Sequence, residues 1–148
     1  MARISDYAEC VNNDERFSLL LRRLHAALLK PYGFKKDGQT FRLIWNESQL
    51  SRGAVLNFQK SAWNDRTELR FTVNLGRKSD LGMIDSRFRE WDCGLSGMER
   101  LGCLAKKYGF DQWWSITEET DMNALEQELL TLLREDAFPW LNIQEKTP

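Results

Sequence analysis

The chain holds 148 residues, 17.4 kDa, of which 42% are hydrophobic and 29% charged; 21 Lys and Arg face 22 Asp and Glu. This fits one ordinary globular domain, 1–148, able to bury a core without disulfides or a structural metal. The net charge of -1 does not advertise nucleic acid or an anionic membrane, and no apolar run exceeds the four residues Ala26 to Leu29, which excludes a spanning helix.

Cys10, Cys93 and Cys103 have no CxxC spacing, so buried thiols are expected rather than a disulfide framework or zinc ribbon. The opening residues Met1 to Asp6 carry no apolar export segment, and the expected location is cytoplasmic.

Asn12 with Glu15 forms a capping-box pattern, and Phe17, Leu20, Leu21, Leu24 and Leu28 recur at helical spacing. A first helix is predicted from Asn12 or Asn13 to Lys30-Pro31-Tyr32-Gly33, where proline interrupts the hydrogen-bond ladder and glycine permits reversal. The single histidine, His25, lies within it and reads as structural, having no second ligand at metal spacing.

The period then changes from 3.6 to 2. Asp37-Gly38 signals a hairpin into a strand over Thr40 to Trp45; a loop containing Arg52-Gly53 precedes a second strand from Ala54 to Ser61. A third alternates Leu69, Phe71, Val73 and Leu75 with Arg70, Thr72 and Asn74, and Gly76 is expected to stop it. Short connections favour an antiparallel meander. Leu56 and Phe58 should share a buried face with Leu69, Phe71 and Val73, while Asn57, Gln59, Arg70, Thr72 and Asn74 point the other way.

Arg77 to Gly97 mixes glycines with charges and reads as a loop with a helical turn over Asp85 to Trp91. Arg100 to Leu104 and Gln112 to Ile116, separated by a turn at Lys106 to Gly109, are expected to form a second hairpin. Thr120 or Asp121 caps a final helix through Asp136 with Leu125, Leu129, Leu132 and Leu133 on one stripe. Pro139 marks its end, and Trp140 and Leu141 should return to the core. The predicted fold is α+β, an antiparallel sheet of four to six strands packed on one face by N-terminal and C-terminal helices. Its opposite face is then open to water or to a partner.

Motifs for nucleophilic, metal or dinucleotide chemistry are missing: there is no GxSxG, HExxH, EF-hand loop or GxGxxG. Gly76-Arg77-Lys78-Ser79 lacks the glycine spacing of a phosphate-binding loop. Glu90 and Asp92, flanking Trp91, are the remaining acid pair and read as solvated charges. No catalytic residue, metal ligand or cofactor is predicted.

Binding chemistry is better represented. Arg42, Trp45, Lys60, Trp63, Arg66, Arg70, Arg77 and Lys78 mix cations with aromatic rings, as single-strand-binding sheets do, although Trp45 and Trp63 also follow the alternation of a core. In Trp113-Trp114 a strand would turn one ring inward and present the other as an interface anchor. Charge is also segregated: Arg16 to Phe110 holds 18 basic and 9 acidic residues, Asp111 to Pro148 holds 2 and 9. Glu118, Glu119, Asp121, Glu126 and Glu128 are thus an acidic surface suited to a basic cleft.

Several ordered runs carry a family resemblance: Tyr32-Gly33-Phe34-Lys35-Lys36, Thr40-Phe41-Arg42, Val55 to Ser61, Phe71 to Gly76, Arg100-Leu101-Gly102 and Asp111-Gln112-Trp113-Trp114. Together they resemble the bacterial family catalogued as domain of unknown function 4304. The resemblance implies a small stand-alone bacterial α+β domain and supplies no catalytic residues. By analogy with other small bacterial domains, an immunity protein that neutralises a toxin is the most concrete expectation. The expected function is therefore a non-catalytic protein-binding module. Its candidate contacts are Arg42, Asn57, Gln59, Lys60, Arg70, Asn74, Trp113 and Trp114 beside the acidic surface. The alternatives are nucleic-acid or small-ligand binding through the polar, basic sheet face, and an enzyme whose closed pocket is lined by Asn57, Gln59, Asn74 and an acid. No membrane partner is expected, and uncovered edge strands would permit a homodimer.

Overall fold

The computed structural model describes residues 6–47, 50–82 and 86–144. Helix α1 (Asn13–Leu24) starts as its capping residues dictate: the Asn12 side chain accepts from the Glu15 N–H at 2.8 Å, and the Glu15 carboxylate accepts from the Val11 N–H at 2.9 Å. It continues through a π-helical turn (His25–Leu29) and a 3-10 turn (Lys30–Tyr32), ending at Gly33 with φ 100°, a conformation that favours glycine. His25 is structural, its Nε2 2.9 Å from the Phe34 carbonyl oxygen.

Six strands follow: β1 (Lys35–Asp37), β2 (Thr40–Glu47), β3 (Leu50–Lys60), β4 (Leu69–Lys78), β5 (Met98–Arg100) and β6 (Trp114–Ile116). Strands β1 to β4 are the expected antiparallel meander. The expected hairpin between the last two does not form. Instead β5 pairs with Asn74–Gly76 and β6 with Leu69–Phe71, both on the edge of β4 away from β3. The reason lies in Arg100 to Leu104, expected to be a strand, and in the Ala105 that follows it. Leu101, Leu104 and Ala105 recur at helical spacing and turn toward the core, so this segment is the short helix α2 (Leu101–Leu104).

Two glycines correct the predicted strand ends. Arg52-Gly53 lies inside β3 rather than in a loop before it, and Gly76 lies inside β4 rather than ending it. Leu81 and Phe88 pack down on the first, and Glu90 and Cys93 on the second. A β-carbon at Gly53 would stand 2.7 Å from Phe88 Cζ; one at Gly76 would stand 2.9 Å from Cys93 Sγ and 3.0 Å from the Glu90 backbone.

The final helix α3 (Met122–Leu132) is capped by Asp121, whose side chain accepts from the Ala124 N–H at 3.0 Å. It runs through a second π-helical turn (Leu133–Ala137) into α4 (Phe138–Trp140). Leu141 is buried and Trp140 packs against the core, as expected.

The sheet separates two apolar clusters. Phe41, Leu56, Phe58, Phe71, Val73 and Leu75 join Phe17, Leu20 and Leu24 of α1 and Leu129 and Leu132 of α3 in the larger one. Phe17 of α1 meets Phe71 of β4 with ring centres 5.2 Å apart, and Phe41 meets Phe58 within the sheet at 5.7 Å. Val55 alternates with Leu56 and therefore points to the other face, where it meets Leu81, Phe88 and Cys93 in the smaller cluster. The covering segment holds 3-10 turns at Glu90–Cys93 and Leu95–Gly97; the helical turn expected over 85–91 starts outside the described residues.

Candidate functional site

The covering segment leaves the other half of that face polar. Asn57 and Asn74 lie directly opposite each other on β3 and β4, and Gln59 faces Thr72. A hydrogen-bonded ladder crosses the strands here. Arg89 Nη1 donates to Thr40 Oγ1 at 2.9 Å, Asn57 Nδ2 to the same hydroxyl at 3.0 Å, and Asn74 Nδ2 to Gln59 Oε1 at 2.8 Å. Arg100 Nε then donates to Asn74 Oδ1 at 3.2 Å, while its Nη1 pairs with Asp111. The Arg100 guanidinium also stands 5.4 Å from the Trp113 ring centre. Thr72 is sealed beneath this edge, its hydroxyl donating to the Gln112 carbonyl at 2.9 Å.

Asn57, Gln59, Asn74 and Trp113 thus meet on one surface; the other candidates divide. Arg70 is exposed next to them, its backbone held by the Asn64 side chain. Lys60 faces Phe71 in register and so belongs to the helix side, where its Nζ meets Asp14 at 3.1 Å. Arg42 is buried beneath the covering segment, donating from Nε to the Phe88 carbonyl at 2.6 Å and from Nη1 to Asp37 at 2.9 Å. That hydrogen bond holds the Asp37 carboxyl below its ordinary value. Trp114 is the inward ring of its pair: it stacks on Phe71 and donates through Nε1 to Glu128 at 2.7 Å.

The acidic residues do not form one surface. Glu126 is buried, accepting from the Tyr7 hydroxyl at 2.8 Å and from Arg23 Nε at 2.5 Å. Glu128 accepts from Lys107, Tyr108 and Trp114. Burial alone would raise its pKa, yet these three donors together hold the carboxyl below the usual glutamate value. Asp121 is occupied as the helix cap, which leaves Glu118 and Glu119 as exposed acids of the set.

The acid pair Glu90 and Asp92 divides between core and solvent. Glu90 is buried while Asp92 is exposed and accepts from the Arg89 N–H at 2.8 Å, so the two do not face a common substrate. Burial pushes the Cys93 thiol up to about 11 and also raises Cys10 and Cys103, so none is poised as a thiolate. Among the described residues no group of His, Cys, Asp and Glu could hold a metal ion, and no helix is long and apolar enough to cross a membrane. Cavities of about 480 to 1130 Å³ open elsewhere on the described surface, none of them lined by Asn57, Gln59 or Asn74.

The family model described as "Domain of unknown function (DUF4304)" matches residues 25–143. The chain belongs to the DUF4304 family. The match takes in every strand of the sheet, the covering segment and helices α2 to α4, while α1 lies before it. No curated protein and no solved structure matches this DUF4304 chain.

Sequence reasoning missed one group on this DUF4304 surface. Trp91 and Leu95 project from the covering segment, 63% and 95% exposed. The glycines inside β3 and β4 were the available signal that another segment approaches here.

Proposed function

We propose that this DUF4304 domain is a non-catalytic protein-binding module of a bacterial cytoplasm that neutralises a toxin by covering part of its surface. The observation that carries the reading is the exposure of Trp63 at 92%, Trp91 at 63% and Leu95 at 95%. Trp63 lies in the connection between β3 and β4, and Trp91 and Leu95 on the covering segment, so they flank the polar ladder from its two ends along the strands. Apolar side chains this exposed lose water favourably against a partner, and tryptophan is enriched among interface hot spots. The dispersal of Lys60 and Arg42 from the polar face favours a protein partner over a nucleic-acid strand.

The test is capture of partners by the tagged protein from lysate of its own source, with and without nuclease, followed by affinity measurement on the purified pair. Trp63→Ala and Trp91→Ala should each leave the fold intact and at least one should weaken binding about thirtyfold, the equivalent of roughly 2 kcal/mol. Co-expression should relieve the captured protein's toxicity. Recovery of nucleic acid alone, or a partner indifferent to both tryptophans, would overturn the reading.

A further inference from the structure

Arg42 is 8% exposed, and its guanidinium is only partly satisfied. Nε donates to the Phe88 carbonyl and Nη1 to Asp37, but Nη2, sealed from water, has no hydrogen-bond acceptor. Buried donors are nearly always paired, and leaving one unmet on a charged group is costly.

The surroundings of this donor match an anion. The Nη end of Arg42 turns to a cavity of about 610 Å³ beside the edge strand β1, where Lys35, Asp37, Ile44 and Arg87 also line the wall. Lys35 lies directly opposite Arg42 in the β1–β2 register, so the two side chains share a face. Lys35 is exposed, and its side chain makes no hydrogen bond or ion pair among the described residues. Arg87 is paired, its Nη2 standing 3.6 Å from the same Asp37 oxygen that accepts from Arg42. Lys36 borders the cavity as well, but its register partner Phe41 belongs to the larger cluster, which turns Lys36 to the helix face. Three cations on the cavity face are thus served by one carboxylate. Asp37 ends β1, its side chain is 44% exposed, and ion pairs open to water hold weakly, so it can turn outward. An oxyanion entering in its place meets Nη1 and Nη2 of Arg42 together, the two-pronged contact that Asp37 leaves half-used.

We propose that Asp37 is a resident stand-in for a phosphate group, free or borne by a small ester, that binds in this cavity across Nη1 and Nη2 of Arg42. Lys35 and Arg87 supply the further positive charge that suits a dianion. Ile44, 36% exposed, gives the organic part of an ester an apolar wall. The volume lies within the range of about 300–1,000 Å³ typical of small-molecule sites. None of Trp63, Trp91 and Leu95 lines this cavity, so the site is independent of the protein-binding surface proposed above.

Titration of the isotope-labelled full chain with inorganic phosphate and with phenyl phosphate tests it, at constant ionic strength in chloride, with NMR following the Arg42 Nε–H signal. The expected result is a saturable one-to-one shift of that signal. Lys35→Gln should weaken binding about tenfold by removing a charged donor. Asp37→Asn, which keeps the acceptor and the turn preference but removes the competing charge, should tighten it about tenfold. Both substitutions fall on exposed side chains at the sheet edge, and both variants should stay folded. Tighter binding of phenyl phosphate identifies an ester as the ligand, whereas equal or weaker binding identifies free phosphate. No saturable shift with either probe, or a shift whose affinity either variant leaves unchanged, overturns the proposal.

Discussion

Phe88→Ala should loosen the covering segment while leaving the helices in place. Phe88 is 1% exposed in the smaller cluster, where its neighbours are Val55, Leu81 and Cys93 with Met98 packed alongside. Its ring fills space above Gly53, which has no side chain to occupy the void left by truncation. Removing a buried phenylalanine ring costs about 3–5 kcal/mol, and the low end, about 3 kcal/mol, applies where an outer layer can partly collapse. That cost corresponds to roughly a hundredfold faster local opening. Hydrogen exchange followed by NMR reads it at Leu81, whose N–H donates to the Ser51 carbonyl at 2.7 Å. Amides of α1 and α3, which belong to the larger cluster, should keep their protection. Uniform loss of protection in both clusters, or none at Leu81, would refute the division of the fold into two separable layers.

Glu126→Ala removes the acceptor shared by Tyr7 and Arg23 and should cost about 2 kcal/mol in denaturant melts, less than a wholly buried pair because Arg23 is 39% exposed. Tyr7→Phe should cost only about 1 kcal/mol, since it deletes one neutral donor. Glu128 predicts a pH dependence. Its folded pKa is depressed below the ordinary 4.5, so its contribution is present above that value and lost as pH falls through the folded pKa. Between about pH 5 and 3, Tm should fall more steeply in the parent than in Glu128→Gln.

The helix cap at Asn12, the reversal at Gly33 and the facing of β3 and β4 were legible in the sequence because each depends on residues a few positions apart. The polar ladder was legible for the same reason, from the period-2 placement of Asn57, Gln59 and Asn74. Arg52-Gly53 and Gly76 misled because a glycine can mark either a turn or the approach of a distant segment; here the approaching atoms belong to Leu81, Phe88, Glu90 and Cys93. Glu126 resembled a surface acid because its partner Tyr7 lies 119 residues away. Lys60 was assigned by charge rather than by register, and its pairing with Phe71 places it on the helix side.

The double pairing on the outer edge of β4 sets a timetable for synthesis. A chain leaving the ribosome has β1 to β4 available once Lys78 has emerged, but the edge from Leu69 to Gly76 waits for residues 98–100 and 114–116, and Tyr7 waits for Glu126. Until then an apolar strand with unpaired backbone groups stands open, a template for the wrong neighbour. Products of premature termination between these points should accumulate as aggregates rather than as smaller domains.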